Sequence, residues 1–151
     1  MSPHQDSTFL YTDPPSVVGL WLALDDATLE NGCLWVKPGS HVHGVKKRFT
    51  RLNADGTQVG FSADEKKKME DDEDEVDTGD GIEGYVPLEV KKGTLVCLHG
   101  SVMHYSRENT SSKPRHAYTV HFVESERPDG QYRWSEKNWL LRPADDPFVP
   151  L

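Results

Sequence analysis

The sequence predicts a mostly-β domain, and three observations carry that reading. The apolar segments are short and rich in Val, Leu, Trp, Tyr and Thr. Clusters of Gly, Pro, Asn and Asp separate them. The stretch at 115–123 alternates, with Arg115, Ala117, Thr119, His121 and Val123 on one face and His116, Tyr118, Val120 and Phe122 on the other, which is the two-residue period of a strand.

Taken in order, the run at 17–24 (Val-Val-Gly-Leu-Trp-Leu-Ala-Leu) is a strand ended by Asp25-Asp26. Glu30-Asn31-Gly32 is a turn, because Asn-Gly accepts positive φ. Residues 33–36 then form the returning strand, closed by Pro38-Gly39. Residues 49–52 suit a short edge strand. Residues 53–84 hold Gly, Asp, Glu and Lys with few apolar groups, too few for a core. They are expected to form a long mobile loop with a helical turn near 63–69, inserted in a single domain spanning 1–151. Order returns at 85–90, and Lys91-Lys92-Gly93 turns the chain into a buried strand at 94–98. Residues 102–106 and 115–123 supply the last strands. The tail from Trp134 onward is expected to wrap the outside of the sheet in extended form.

The 151 residues carry a net charge of −8, which argues against a nucleic-acid or anionic-membrane binder. Eleven acidic residues and three lysines lie between Asp64 and Glu83, so that segment carries the whole imbalance. No apolar run approaches the roughly 18 residues of a membrane span, and no signal-peptide pattern opens the chain. Cys33 and Cys97 each sit in an apolar run and read as small hydrophobes rather than a disulfide. A soluble protein of the cytoplasm is expected.

The chemistry concentrates in His4 and Asp6, followed downstream by His104, Ser106 and Arg115. In an extended stretch residues i and i+2 point the same way, so His4 and Asp6 can offer an imidazole nitrogen and a carboxylate oxygen to one ion. The third ligand is expected from a strand facing them across a barrel or sandwich, and His104 follows the strand ending at Leu98. Such a set suits iron(II), and also zinc, manganese or cobalt. Arginine offers a planar fork matched to a carboxylate, and Arg115 facing inward calls for an anionic partner. His99 reads as structural or as support for the site, and His41 as a packing or capping residue. His121 is a weaker site candidate on the inward face. His43 and His116 read as surface residues.

The block His104-Tyr105-Ser106…Arg115 resembles the phytanoyl-CoA dioxygenase family of iron(II)/2-oxoglutarate oxygenases. Residues 31–41, Asn-Gly-Cys-Leu-Trp-Val-Lys-Pro-Gly-Ser-His, are similar to a second signature of that family. The segments His4-Gln5-Asp6…Phe9-Leu10-Tyr11-Thr12 and Ala27-Thr28-Leu29-Glu30-Asn31-Gly32 resemble one animal group within it. The likeness covers residues 1 to about 52 and 85 to 142.

The resemblance implies a double-stranded β-helix (a cupin-like jelly-roll). It implies His4, Asp6 and His104 as iron ligands, and Arg115 holding the distal carboxylate of 2-oxoglutarate with help from Ser106. Trp21 would line the co-substrate pocket. Iron(II), 2-oxoglutarate and O2 would be required, ascorbate would support turnover, and a small-molecule or acyl substrate would be hydroxylated. Family members carry a long region ahead of the His-x-Asp motif, whereas this chain starts three residues before His4. The expectation is an N-terminally truncated fold of marginal stability, with ligands near the terminus held loosely. Two competing functions remain: a zinc hydrolase using the same three ligands, and an inactive β-domain serving as a binding or regulatory module.

Overall fold

The computed structural model describes residues 1–71 and 81–140. Its strands are β1 (Thr12–Asp13), β2 (Val18–Ala23), β3 (Leu34–Val36), β4 (Phe49–Arg51), β5 (Val59–Phe61), β6 (Val86–Leu88), β7 (Leu95–His99), β8 (His104–Ser106), β9 (Ala117–Phe122) and β10 (Arg133–Trp134). One α-helix, α1 (Ala63–Asp71), follows β5, and short 3₁₀ turns lie at Asp6–Thr8 and Ser40–His43. Among the described residues no helix is long and apolar enough to cross a membrane.

Two antiparallel three-stranded sheets, ordered β7-β2-β9 and β6-β3-β8, hold the core between them. From β6 onward successive strands change sheet, so the chain crosses from layer to layer. Trp21, Ala23 and Leu98 from one sheet meet Leu34, Trp35 and Tyr105 from the other. Trp35 stacks on Tyr105 with ring centroids 5.8 Å apart. Tyr85 meets the same ring edge-on at 5.1 Å. The Tyr105 hydroxyl accepts a hydrogen bond from the Ile82 amide at 3.2 Å, so this buried aromatic also has its polar end satisfied.

Asn31-Gly32 does turn the chain, but not into a hairpin. Both edges of β2 are taken by β7 and β9, and both edges of β3 by β6 and β8. The turn therefore carries the chain between sheets. Gly32 has φ +83, and a Cβ there would lie 2.7 Å from the Arg107 carbonyl oxygen. Glycine is needed both for the left-handed backbone and for the close approach. Asn31 is buried. Its Oδ1 accepts from the Thr28 amide at 2.7 Å, and its Nδ2 donates to the carbonyls of Asp26 at 2.8 Å and Pro114 at 3.4 Å. One side chain thus ties the inter-sheet turn to the loop that delivers Arg115. Asn31→Ala removes these partners without refilling the space. It is expected to lower the unfolding free energy by about 1–3 kcal/mol, read as a shifted denaturant midpoint; an unchanged midpoint would show that the tie carries no stability.

Two expectations need correcting. The strand at 94–98 is not buried: Leu95 and Cys97 are exposed, and only Leu98 is buried. β7 is an edge strand, and its outward residues share a face with Val18 of β2 and Tyr118 of β9, which are 40% and 62% exposed. The segment 53–84, expected as a loop, contains β5 and the nine-residue α1. The turn at 53–58 is built from Asn53 and Asp55, which bond the amides of Gln58 and Thr57. Ser62 caps the helix start by accepting from the Glu65 amide at 3.2 Å, as a Ser-x-x-Glu sequence favours. The most acidic part, residues 72–80, lies outside the described residues, as do 141–151 of the tail. The described tail is held to the body by the β1–β10 pair and by buried Asn138, whose Nδ2 donates to the Tyr11 carbonyl at 2.8 Å.

Candidate metal centre

His4 and His104 do not face each other across the barrel, as the sequence led us to expect. They are directly opposed residues on adjacent antiparallel segments. The His4 amide donates to the His104 carbonyl and the His104 amide to the His4 carbonyl, each at 3.0 Å. Cross-strand partners present their side chains on one face, and the ring centroids lie 4.3 Å apart. Asp6 comes to the same place because the chain turns into a 3₁₀ helix after extended Gln5. One ligand atom from each of His4, Asp6 and His104 falls within 4.8 Å of the others.

The segment bearing His4 and Asp6 is hydrogen-bonded to the sheet on several sides. The Ser7 amide donates to the Gly100 carbonyl at 2.9 Å, and the His4 amide to the His104 carbonyl at 3.0 Å. Gln5, fully buried between the two candidate ligands, is the strongest tether. Its Nε2 donates to the carbonyls of Gly44 (2.8 Å) and Ser101 (2.6 Å), and its Oε1 accepts from the Lys46 amide at 2.8 Å.

The protonation pattern follows from the neighbours. His4 Nδ1 lies 2.8 Å from the Ser2 carbonyl and His104 Nδ1 lies 3.0 Å from the Val102 carbonyl. A carbonyl oxygen only accepts, so each Nδ1 carries a proton, and the neutral tautomer of each ring turns an Nε2 lone pair toward Asp6. Burial lowers the His4 pKa, against the opposing effect of the bond to Ser2, and so favours the neutral ring. The Nε2 atoms stand 3.9 Å (His4) and 3.6 Å (His104) from Asp6 Oδ1, too far for hydrogen bonds. Three acceptors therefore converge on one small space, an arrangement that a cation stabilises.

Asp6 is buried, which pushes its pKa up. The hydrogen bond from His121 is the main opposing influence, and the carboxyl is held below the ordinary carboxylate value. His121 Nε2 lies 3.2 Å from Asp6 Oδ2, and this bond raises the His121 pKa against the effect of burial.

Arg115 lies just before β9 and is half-buried. Its guanidinium carbon is 5.7 Å from the centroid of buried Trp21, and its buried Nε has no hydrogen-bond partner among the described residues. Ser106 is two residues past His104 on β8, so both side chains leave the strand on one face. A cavity of about 640 Å³ opens beside Ser106, with Leu29, Ile82 and Tyr105 among its walls. His99 and His41 are exposed and pack on each other at 5.2 Å. His99 Nδ1 accepts from the Ser101 amide, and neither ring joins the His4–Asp6–His104 group. His43 is exposed, and His116 is exposed and paired with Asp25 at 2.7 Å.

A model of the phytanoyl-CoA dioxygenase (PhyH) family matches residues 1–117. The chain belongs to the phytanoyl-CoA dioxygenase family. Among curated relatives of this family, phytanoyl-CoA dioxygenase 1 of Oryza sativa subsp. japonica is 46% identical over 140 residues, covering 93% of this chain and 43% of that protein. Phytanoyl-CoA dioxygenase domain-containing protein 1 of Mus musculus is 44% identical over 153 residues, covering 100% and 47%. The chain thus spans less than half the length of these relatives. Among solved structures, the non-heme α-ketoglutarate-dependent carbocyclase SnoK from nogalamycin biosynthesis matches 83% of this chain and 43% of its own, with 24% identity and a TM-score of 0.54. EvdO2 from Micromonospora carbonacea var. aurantiaca, complexed with 2-oxoglutarate, matches 88% and 52%, with 22% identity and a TM-score of 0.50. These likenesses show the fold, the cupin-like double-stranded β-helix expected from the sequence.

Sequence reasoning missed two residues at the site. Gln5 reads locally as filler between two ligands, although its alternation away from His4 was a signal. Gly19 interrupts the apolar run of β2, and a glycine inside a strand marks close approach of another group. Here that group is Asp6 Oδ2, 2.8 Å from where a Cβ would stand.

Proposed function

We propose that this chain carries the metal centre of an iron(II)- and 2-oxoglutarate-dependent dioxygenase that hydroxylates a small-molecule or acyl substrate. The observation that carries the reading is the tethering of both imidazoles through Nδ1, which leaves two nitrogen lone pairs and one carboxylate oxygen converging. His4, Asp6 and His104 would hold the ion. Arg115, with its unpartnered Nε, would take the far carboxylate of the co-substrate, with Ser106 donating to it and Trp21 forming a wall. When bound, iron(II) and 2-oxoglutarate supply the oxidising chemistry, in which O2 is consumed, the keto acid becomes succinate and carbon dioxide, and a substrate C–H becomes C–OH.

The protein's share is positional. The backbone carbonyls of Ser2 and Val102 fix the ring tautomers. Burial around His4, Asp6 and His104 keeps water from competing for the site. The cavity beside Ser106 has the volume of a small-molecule site, and its walls are mixed, with Leu29, Ile82 and Tyr105 beside Arg107, Glu108 and Thr110. The zinc hydrolase alternative gives Arg115 and Ser106 no task.

The chain supplied with iron(II), 2-oxoglutarate, ascorbate and oxygen is expected to form succinate, and Asp6→Ala to abolish it. Absence of succinate from the wild-type chain, with metal bound, would favour the inactive binding module instead.

A further inference from the structure

We propose that His121 is the positioning residue for the metal-binding carboxylate, donating from Nε2 to Asp6 Oδ2 so that Oδ1 stays turned toward His4 and His104. The inference rests on the metal-centre reading above and adds the group that aims its single anionic ligand.

A carboxylate offers two oxygens, and a lone aspartate beside an ion can rotate between one-oxygen and two-oxygen contact. Here the two oxygens have different neighbours. Oδ1 is 3.6 Å from His104 Nε2 and 3.9 Å from His4 Nε2. Oδ2 is 3.2 Å from His121 Nε2, within hydrogen-bond reach, unlike the other two nitrogens. Groups that orient a ligand in this way commonly set metal affinity.

Sheet register makes the contact possible. His121 on β9 is paired with Gly19 on β2. A Cβ at Gly19 would stand 2.8 Å from Asp6 Oδ2 and 3.6 Å from the His121 ring atoms Cδ2 and Nε2. Position 19 must be bare for the imidazole and the carboxylate to meet above it. Three segments far apart in sequence (residues 6, 19 and 121) thus converge on one hydrogen bond.

The test is cobalt(II) binding to the whole chain without 2-oxoglutarate or oxygen, followed by the visible absorption of the bound ion, alongside thermal unfolding of the metal-free protein. His121→Phe is expected to weaken cobalt binding roughly 10- to 100-fold and to change the absorption envelope as the carboxylate loses its fixed orientation. His121→Gln, which keeps an N–H donor, is expected to restore affinity to within a few-fold of wild type. Gly19→Ala, which leaves His121 intact but wedges a methyl between the partners, is expected to reproduce the Phe variant's weaker binding and altered spectrum. Wild-type affinity and spectrum in both His121→Phe and Gly19→Ala would overturn the proposal. So would a Gln variant as weak as the Phe variant, which would make the imidazole itself the requirement. Failure of the wild-type chain to bind cobalt would instead bring down the metal centre. Should His121→Phe lose its cooperative unfolding, Gly19→Ala and His121→Gln decide the matter.

Discussion

Arg115→Ala is expected to destroy 2-oxoglutarate use while leaving metal binding intact. The side chain sits half-buried before β9, its guanidinium over Trp21 and its buried Nε without a partner. A half-buried guanidinium with one buried N–H short of a partner gains from an anion that meets it, and a dicarboxylate does so in a forked geometry. Truncating one member of such a pair typically costs about 2–5 kcal/mol, or roughly 30- to several-thousand-fold in affinity. The loss should appear as a raised half-saturation for 2-oxoglutarate in succinate formation. Cobalt or iron(II) affinity without co-substrate should be unchanged, because Arg115 touches none of the three ligands. Unfolding of the metal-free variant should be unchanged or slightly later, since an unsatisfied polar atom has gone. Arg115→Lys keeps the charge but not the fork and should fall between. Unchanged half-saturation in Arg115→Ala would remove the co-substrate role and leave the unpartnered Nε without an explanation.

What could be read from the sequence divides along the line between local and non-local information. The strands β2, β7 and β9 were legible because apolar runs and two-residue alternation are properties of the strand itself. Their pairing was not. Asn31-Gly32 signals a turn in isolation, and only the occupied edges of β2 and β3 show that the turn joins two sheets. The exposure of Cys97 was hidden for the same reason, since a run of apolar residues looks alike at the edge and the centre of a sheet. At the site, His4, Asp6 and His104 were legible from ligand chemistry and from the family resemblance. Their arrangement was not: the residues pair side by side on adjacent segments, which is a matter of register. His121 could be placed on the inward face by alternation, yet its contact with Asp6 depends on Gly19 lying opposite it. Within 53–71 the signals were present but weak. Ser62-x-x-Glu65 and the Asn53–Gly56 turn were there to be found, and the low apolar content obscured them.

Gln5→Ala is expected to destabilise the fold strongly and to weaken metal binding with it. Gln5 is fully buried and saturates three backbone groups: the carbonyls of Gly44 and Ser101 and the amide of Lys46. Alanine leaves the buried Ser101 carbonyl without its partner, at about 1–3 kcal/mol, loses the part-buried bonds to exposed Gly44 and Lys46, and leaves a void besides. A total of several kcal/mol is comparable with the whole stability of a small domain. Because Gln5 stands between His4 and Asp6, the same loss frees the segment that holds both ligands beside His104. Cobalt binding should weaken, and saturating cobalt should recover part of the thermal shift, since binding to the folded form alone stabilises it. Gln5→Glu separates the contributions. It keeps the acceptor for the Lys46 amide but sets a carboxylate against the carbonyls of Gly44 and Ser101, and should be as destabilising as alanine or more. A Gln5→Ala protein that melts and binds cobalt like wild type would show that backbone pairing with β8 alone holds the ligand segment in place.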